Sequence, residues 1–287
     1  MNSTLKPLSD WLLPPNMFRL LTQYRFAPLC FALTHSDVLA RNKQLLNRHA
    51  GKRCFILCNG PSVKQQDITV LKKEIVFSVS SGYKHPDYAA IAPRYHCVPQ
   101  LTYSDKITPP VAIEWFAEMD AGIGGAELFL DSQEYALVQK HHLFPGRQPY
   151  YLCTGRRYFP HAPKTLPDMA GIIPRAQSVP ITALMLALYM GFKKIYLLGT
   201  DHDWFVKKEY RYFYEPTVLK GKDTGVRVDG SLETTLWDEL PAIEKMWSQY
   251  RAIKALAQSG GAAIYNASPG SMLDEFPRVR LEEVVCR

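Results

Sequence analysis

Residues 179–203 read VPITALMLALYMGFKKIYLLGTDHD and contain the pattern that decides the fold. The apolar run Ile181–Tyr189 is typical of a buried helix. Gly191 follows this run, and Gly readily adopts the left-handed backbone conformation that commonly ends a helix. Ile195–Leu198 is a short apolar run typical of a buried strand, and the polar residues 199–203 form its exit loop. The helix, the turn and the strand together predict one unit of an α/β sheet.

The same alternation of strands and helices continues on both sides of this unit. Further strands are predicted at residues 53–58, 74–80, 95–98, 126–130, 150–153 and 263–265. Further helices are predicted at 67–71 and 240–258. This order predicts the α/β class, with a doubly wound, mostly parallel, Rossmann-like sheet. Since ligands bind beyond the carboxyl ends of such strands, the polar turns at 59–62, 199–203 and 266–271 are expected to converge on one side of the sheet.

Composition and length are those of a globular protein. The chain has 287 residues, of which 47% are hydrophobic and 21% are charged, and this excludes a disordered, collagen-like or coiled-coil protein. No apolar run reaches the ~18–20 residues that span a bilayer. The six cysteines are scattered, with no close pair matched by a second pair. The sequence therefore predicts neither a metal site nor a disulfide framework.

The positive charge is concentrated at the amino end. The net charge is +7, and residues 1–53 hold eight basic and two acidic residues, a local charge of +6, beside many bulky apolar side chains. We therefore predict a basic amphipathic extension over residues 1–50 and a main domain over residues 51–287, with a lid at about residues 205–238. The extension either lies on an anionic membrane surface or packs on the domain as a helical segment.

Several classes of location and partner are not indicated. The amino end has no ordered secretory signal, which predicts a cytoplasmic protein. No aromatic–basic motif of a nucleic-acid module is present, so no nucleic-acid partner is predicted. The sequence leaves the oligomeric state open, a homo-oligomer included.

The turn Asn59-Gly60-Pro61-Ser62 directly follows the first predicted strand. Gly60 would let the backbone approach a ligand closely, Asn59 offers an amide to a nucleotide, and Ser62 could cap the next helix or bind a phosphate. A plain strand-to-helix turn is the alternative interpretation. The turn matches neither the dinucleotide motif Gly-x-Gly-x-x-Gly nor a Walker loop, so neither NAD nor P-loop chemistry is indicated.

The start of the central helix and the loop after the next strand offer further polar groups. Free backbone N–H groups from Ser178 to Thr182 could bind an anion, or Ser178 could simply cap the helix. In the loop, His202 has a reference pKa of ~6.5 that suits a general base, and Asp201 could orient it or contact a sugar. The alternative is a structural histidine on a loop.

The predicted lid carries Tyr212, Tyr214 and several lysines. Phenol hydroxyls and cations directed at a leaving phosphate would stabilise its charge without a metal ion. A solvated basic loop is the alternative interpretation.

Three blocks of the sequence, residues 55–62, 179–202 and 264–271, together resemble the DUF115 family, also called MptE-like. The first two blocks are also similar to the bacterial sialyltransferases of glycosyltransferase family 42. The resemblance covers about residues 52–280 and implies a Rossmann-like, GT-A-variant-like fold, with residues 51–287 as the nucleotide-binding and catalytic domain. The fold alone does not determine the reaction.

The resemblance implies an inverting, metal-independent glycosyltransferase in bacterial surface-glycan or lipopolysaccharide assembly. Its donor would be a nucleotide-activated sugar, with a CMP-linked sugar as one candidate, and it would need no cofactor. Its acceptor would be a glycan or a lipid-linked molecule, which fits a basic extension that is peripheral at the inner membrane. Two alternatives stay open: a 6-hydroxymethylpterin diphosphokinase that uses ATP and Mg²⁺, and a non-catalytic nucleotide-binding relative.

The resemblance also implies roles for individual residues. The nucleotide would be bound by Asn59, Gly60, Pro61, Ser62, Ser80, Ser178 and Thr182. Ser80 or Ser81 stands at the strand end that carries Asn in the sialyltransferases, and Asp201 would form the pocket floor. Tyr212 and Tyr214 stand where many relatives carry lid histidines, which leaves His202 as the predicted base.

Overall fold

A computed structural model describes residues 27–98, 101, 107–158, 165–207, 212–214 and 235–285. Within these residues, eight strands form a single sheet: β1 (Arg53–Leu57), β2 (Val76–Val79), β3 (Tyr95–Cys97), β4 (Glu127–Asp131), β5 (Tyr150–Tyr158), β6 (Ile172–Arg175), β7 (Lys194–Leu198) and β8 (Ala263–Asn266). The strand order is β6-β5-β4-β3-β2-β1-β7-β8, and every neighbouring pair is parallel. The predicted α/β class is confirmed, and the sheet is parallel throughout.

The α-helices of the described residues are α1 (Ala27–Thr34), α2 (Ser36–Ala40), α3 (Tyr88–Ile91), α4 (Pro109–Gly122), α5 (Tyr135–His141), α6 (Val179–Tyr189), α7 (Trp204–Lys207), α8 (Leu236–Ser259) and α9 (Leu281–Val285). Short 3₁₀ helices cover Arg41–Leu45, Pro61–Gln65, Ile68–Lys73, Gly82–Lys84 and Ser132–Glu134. Most of these helices lie between consecutive strands, as parallel strands require a crossover connection.

The central helix α6 and the strand β1 show why this sequence folds as a sheet with two covered faces. Eight of the eleven residues of α6 are buried, which is expected of a helix that is apolar on all sides. Along β1, Cys54 and Ile56 join the core cluster that contains α6, whereas Phe55 and Leu57 pack in a separate cluster. Because both faces of β1 are covered, its sequence is a continuous apolar run rather than an alternation.

The order of the strands reverses at β1. From β1 the chain adds β2 to β6 successively on one side, and it then crosses to the other side of β1 to form β7 and β8. Leu57 at the end of β1 pairs with Leu198 at the end of β7. In open α/β sheets, ligands bind in the crevice beyond the carboxyl ends of two such strands.

Several elements of the structure are not predicted by the sequence pattern, and β6 and α4 show why. β6 is an edge strand with Pro174 inside it, a residue that edge strands tolerate but that weakens the strand signal. α4 begins with two prolines, which fit the first turn of a helix but occur in a stretch that otherwise resembles a loop. α8 begins earlier than predicted, at Leu236, because Thr235 and Asp238 form a capping box.

The described part of the predicted amino-terminal extension packs against the sheet. The side-chain amide of Asn42 donates to the carbonyl oxygens of Tyr151 (2.8 Å) and Met169 (2.7 Å). Leu45 belongs to the core cluster that contains α6. This part of the extension is therefore in the same packed unit as the sheet, whereas residues 1–26 lie outside the described residues. Within the described ranges, no helix is long and apolar enough to cross a bilayer.

Candidate functional site at the strand reversal

One pair of side chains joins the turns after β1 and β7. The carboxylate of Asp201 accepts the backbone N–H of Ser62 at 2.9 Å through Oδ2, and it accepts the Ser62 hydroxyl through Oδ1. Asp201 and Ser62 are only 7% and 4% exposed, so these charge-assisted hydrogen bonds are shielded from water. The pair fixes the 59–62 turn against the exit loop of β7.

Gly60 is required by the close packing of these two turns. A Cβ atom at position 60 would lie 2.5 Å from Cγ of Asp201 and 2.6 Å from the carbonyl oxygen of Gly199. Both distances are far below the ~3.5–4.0 Å at which carbon atoms pack. The backbone φ of Gly60 is −65°, so the requirement is steric rather than conformational. The sequence suggested a close approach of Gly60 to a ligand, and in the structure that close approach is made to Asp201.

The turn after β8 joins the same assembly. Ser268 Oγ accepts the backbone N–H of Thr200 at 2.9 Å, and the Ser271 hydroxyl donates to the carbonyl oxygen of Thr200 at 2.6 Å. The backbone N–H of Met272 donates to the carbonyl oxygen of Asp201 at 2.8 Å. The predicted convergence of the three polar turns on one side of the sheet is therefore confirmed.

A cavity of about 340 Å³ lies beyond the carboxyl ends of β1, β7 and β8. The described residues that line it are Pro61, Ser62, Gln65, Asp201, Asp203, Lys207, Pro269 and Gly270. Its volume is at the lower end of the ~300–1,000 Å³ range of small-molecule sites. Its position at the strand reversal and its concave shape both indicate a ligand site.

Three charged side chains contribute to the lining of this cavity. Asp203 Oδ2 lies 2.5 Å from Nζ of Lys207, four residues along the chain. Burial raises the pKa of Asp201, and the hydrogen bonds from Ser62 oppose that rise. The lining thus combines a buried carboxylate with an ion pair, and it can both accept and donate hydrogen bonds. Among the residues that the structure describes, no group of three or more His, Cys, Asp or Glu side chains is arranged to hold a metal ion.

Asn59 lies on the other side of the turn, next to the exit of β2. A Cβ atom at Gly82, which follows β2, would lie 3.5 Å from Oδ1 of Asn59. This oxygen is buried and has no hydrogen-bond partner in the described part of the chain, and the residue is only 8% exposed. Because an unpaired buried polar group costs about 1–3 kcal/mol, the amide of Asn59 is a candidate contact for a ligand.

His202 is not among the residues that line the cavity. Its Nε2 lies 2.7 Å from the hydroxyl of Tyr250 in α8, and its ring contacts the rings of Trp204 and Trp247. Burial lowers the pKa of His202 to about 4, and the charge of Asp203 opposes that change. The backbone φ of His202 is 48°, in the left-handed region that is uncommon for histidine. Its role as a general base stays a prediction, and its place among aromatic rings also suits a structural histidine.

Three other predicted nucleotide contacts lie apart from the residues that line the cavity. Ser178 is at the N-cap position of α6, as predicted, but its side chain makes no capping hydrogen bond. Thr182 lies in the first turn of the same helix. Ser80 follows β2 with a φ of 48°, and its backbone N–H donates to the carbonyl oxygen of Cys97 at 2.9 Å. The contact of these residues with a nucleotide stays a prediction.

The described part of the predicted lid packs against the turn after β1. The backbone N–H of Phe213 donates to the carbonyl oxygen of Asn59 at 3.0 Å, and the Phe213 side chain is buried. The rings of Tyr212 and Tyr214 stack with their centroids 5.1 Å apart. Both tyrosines therefore lie near the predicted nucleotide contacts, while most of the predicted lid lies outside the described residues.

The predicted site omitted five of the residues that line the cavity: Gln65, Asp203, Lys207, Pro269 and Gly270. Asp203, Pro269 and Gly270 belong to the predicted exit turns, so their position directly after a predicted strand could have identified them as candidate site residues. Asp203 and Lys207 also have the spacing of four residues that brings opposite charges together at the start of a helix. Gln65 carries no such signal in the sequence.

The chain is similar in structure to a protein of known structure. No protein-family model matches the chain, and no curated protein matches it. A solved structure of the sialyltransferase CstII from Campylobacter jejuni, in complex with the substrate analogue cytidine-5'-monophosphate, is similar over 80% of this chain and 85% of that chain. The sequence identity is 13% and the TM-score is 0.41. Similarity at this level does not assign a reaction to the chain.

Proposed function

We propose that this protein is an inverting glycosyltransferase that takes a sugar from a nucleotide-activated donor, with a CMP-linked sugar as the first candidate. The acceptor would be a glycan or a lipid-linked molecule in bacterial surface-glycan or lipopolysaccharide assembly. The reaction would need neither a metal ion nor a cofactor, and the protein would be cytoplasmic and peripheral at an anionic inner-membrane surface. The support comes from the sequence resemblance given above and from the geometry beside the strand reversal.

The observation that carries the proposal is the buried Oδ1 of Asn59, which has no partner in the described part of the chain and lies beside the exit of β2. An amide oxygen accepts hydrogen bonds, so its partner would be a donor such as a ribose hydroxyl or the amino group of cytosine. Tyr212 and Tyr214 flank Phe213, which is hydrogen-bonded to the same turn, and their hydroxyls would donate to a leaving phosphate. These groups together suit a nucleoside monophosphate.

The proposed reaction is a single displacement. The acceptor hydroxyl gives its proton to a base while its oxygen forms a bond to the anomeric carbon of the donor sugar. The bond between that carbon and the phosphate oxygen breaks, and the nucleotide leaves with the electron pair. The proton then passes from the base to water.

His202 is the predicted base, and Asp203 is a second candidate because it lines the cavity. A pKa of about 4 keeps His202 neutral at pH 7, as a proton acceptor must be. The Nε2 atom of His202 lies at the Tyr250 hydroxyl, so a base role requires the tautomer in which Nε2–H donates to that oxygen and Nδ1 takes the proton. Asp201 would act as a positioning residue in either case, since its oxygens accept from Ser62.

The 6-hydroxymethylpterin diphosphokinase is the second candidate function. The two carboxylates that line the cavity, Asp201 and Asp203, are the observation in its favour, because pyrophosphate transfer from ATP needs Mg²⁺ and carboxylates that hold it. The non-catalytic binding protein is the third candidate, and it requires only the nucleotide contact.

Calorimetric titration of the full chain with CMP, UDP and ATP, each with and without Mg²⁺, tests the proposal. We expect CMP to bind in the absence of Mg²⁺. Binding of ATP that depends on Mg²⁺, without any binding of CMP, would favour the diphosphokinase. Release of CMP from a CMP-linked sugar, followed by mass spectrometry, then separates an enzyme from a binding protein.

A further inference from the structure

We infer that the cavity beyond β1, β7 and β8 is a subsite for an uncharged, hydroxyl-bearing group and not for the phosphates of a nucleotide. Its identification with the sugar part of the acceptor rests on the proposed function. The chemical class of its ligand follows from the cavity itself, whose lining residues provide carboxylate, ammonium, amide and apolar groups.

The charges of the lining do not favour a phosphate. Among the described residues that line the cavity, the charged ones are Asp201, Asp203 and Lys207, one cation with two carboxylates. Nζ of Lys207 is already 2.5 Å from Asp203, so its charge is largely offset before a ligand binds. A phosphate in this cavity would lie close to the carboxylate of Asp201, and the described lining residues carry no net positive charge to compensate the repulsion.

The helix start that would otherwise attract an anion is also occupied by the protein. The 3₁₀ helix Pro61–Gln65 follows β1 directly, and the N–H groups at such helix starts bind phosphates in many α/β proteins. Here the N–H of Ser62 donates to Asp201, and the Ser62 hydroxyl donates to the same carboxylate. A protein carboxylate therefore fills the position that a phosphate would take.

The same lining suits the hydroxyl groups and the ring of a sugar. Asp203 accepts hydrogen bonds and the neighbouring Lys207 donates them, so the pair can bind two neighbouring hydroxyl groups. The side-chain amide of Gln65 can both accept and donate hydrogen bonds. Pro61 and Pro269 add apolar surface for the C–H face of a sugar ring. A volume of about 340 Å³ accommodates part of a substrate rather than an entire nucleotide sugar.

The 59–62 turn would then separate the two halves of the ligand site. The buried oxygen of Asn59 lies on the β2 side of the turn, beside Gly82, and the cavity lies on the β7 and β8 side. A nucleoside at Asn59 and a sugar in the cavity would meet at the turn itself. This is the arrangement that a transfer between a donor and an acceptor requires.

Amide NMR spectroscopy on the full chain tests the inference. The protein is titrated separately with inorganic phosphate, with CMP, and with the methyl glycosides of galactose, glucose and N-acetylglucosamine. The readouts are the backbone N–H resonances of Gly270, which lines the cavity, and of Gly82, which lies beside Asn59. We expect a glycoside to shift the Gly270 resonance, phosphate to leave it unchanged, and CMP to shift the Gly82 resonance.

Asp203→Asn sharpens the test, because it removes one of the two carboxylates near Lys207. We expect the variant to bind the glycoside at least about tenfold more weakly, since a hydrogen bond to a charged group is lost. We also expect phosphate now to shift the Gly270 resonance. Glu283→Gln is the matched control, since it removes a carboxylate from the exposed ion pair with Arg280, and it should change neither result.

Three outcomes would overturn the inference: a shift of the Gly270 resonance by phosphate in the parent protein, no shift of it by any of the glycosides, or a glycoside affinity that Asp203→Asn leaves unchanged. A glycoside that shifts Gly270 while CMP leaves Gly82 unshifted would count against the proposed function and support the subsite. Failure of the proposed function and failure of the subsite inference therefore give different results.

Discussion

Ser62 donates both its backbone N–H and its hydroxyl to the carboxylate of Asp201, and this pair joins the two strands at which the sheet order reverses. The two residues are 139 positions apart in the sequence. Strand pairing between β1 and β7 brings their turns together, and the pair then holds the turns in one orientation. Two motifs that are distant in the sequence thereby form one wall of a cavity.

Replacement of Ser62 by Ala tests this relationship. The variant loses the hydroxyl donor and leaves one oxygen of a buried carboxylate without its partner. We expect the free energy of unfolding, measured by urea denaturation, to decrease by about 1–3 kcal/mol. Combination with Asp201→Asn in a double-mutant cycle should give a non-additive result, because the two side chains act through one contact.

A surface pair provides the matched control for Ser62→Ala. Thr69 donates its backbone N–H (3.0 Å) and its hydroxyl (2.5 Å) to Oδ1 of Asp67, in the same pattern but at an exposed position. Water can replace a lost donor there, so Thr69→Ala should cost clearly less than Ser62→Ala. Equal losses in the two variants would show that burial of the Asp201 carboxylate has no effect.

Asn59→Ala is expected to weaken nucleotide binding much more than it weakens the fold. Its amide oxygen has no described partner to lose on truncation, whereas a bound nucleotide would lose a hydrogen bond of about 1–3 kcal/mol, roughly 5- to 150-fold in affinity. Calorimetric titration with CMP and urea denaturation without a ligand measure the two effects. Asn266→Ala is the contrast, because the Asn266 amide is bonded to Ser271, Leu273 and Ser268 and its loss should destabilise the fold. An unchanged affinity in a folded Asn59→Ala protein would remove Asn59 from the site.

The sheet could be predicted from the sequence wherever a strand is a continuous apolar run. Ile195–Leu198 and the helix before it were recognisable because burial on most sides leaves few polar positions. β6 was not, because an edge strand that contains a proline has no comparable pattern. The three exit turns were also predicted correctly, since their position beyond the strands follows from the parallel topology alone.

The contacts within the site could not be predicted in the same way. Ser62 and Asp201 were both recognised as candidates for ligand contacts, but their bond to each other depends on the register between β1 and β7. The surroundings of His202 are likewise set by Tyr250 and Trp247 on the distant helix α8. No local pattern in the sequence contains this information, because it arises only when separate elements pack together.

The basic residues of the predicted extension fall into two groups. In the described part, Arg41 donates to the carbonyl oxygens of Gln148 and Pro149, and Arg48 forms an ion pair with Glu127 at 2.7 Å. These arginines already have partners within the packed domain. Binding of the extension to a membrane surface would therefore depend mainly on basic residues nearer the amino end.

Replacement of Lys6, Arg19 and Arg25 by Gln should therefore reduce binding to anionic vesicles. Each basic residue near such a surface contributes about 1 kcal/mol, so the triple variant should lose on the order of 100-fold in affinity. Co-sedimentation with phosphatidylserine-containing vesicles measures the loss, and binding of the parent should fall with added salt. Arg48→Gln is the control that should bind nearly as well as the parent. If the parent binds neutral and anionic vesicles equally well, or binds neither, the extension instead packs on the domain as a helical segment.

His202 is expected to make the fold less stable as the pH falls. Its pKa is lowered to about 4 by burial, against 6.5 as its ordinary value. Between these two pH values the folded state binds fewer protons than the unfolded state. The contribution of neutral His202 to the free energy of unfolding is therefore fully present above about pH 6.5. It decreases as the pH falls and is exhausted below about pH 4. Burial also lowers the pKa of His49 to about 4 and of His96 to about 3, so the measurement must compare two proteins that differ only at His202.

His202→Asn provides that comparison, because Asn tolerates the left-handed backbone at this position and does not titrate. We expect its free energy of unfolding to depend less steeply on pH between about 6.5 and 4 than that of the parent, and equal slopes would contradict the lowered pKa.

The same variant, His202→Asn, tests the predicted base role, since a positioned base contributes ~10²–10⁴-fold to the rate. If His202 is the base, turnover of a CMP-linked sugar should fall by that factor, and the rate of the parent should decline near pH 4 rather than near 6.5. If kcat at saturating donor and acceptor survives within a few-fold in His202→Asn but is lost in Asp203→Asn, the proton transfer is instead assigned to Asp203, which lines the cavity.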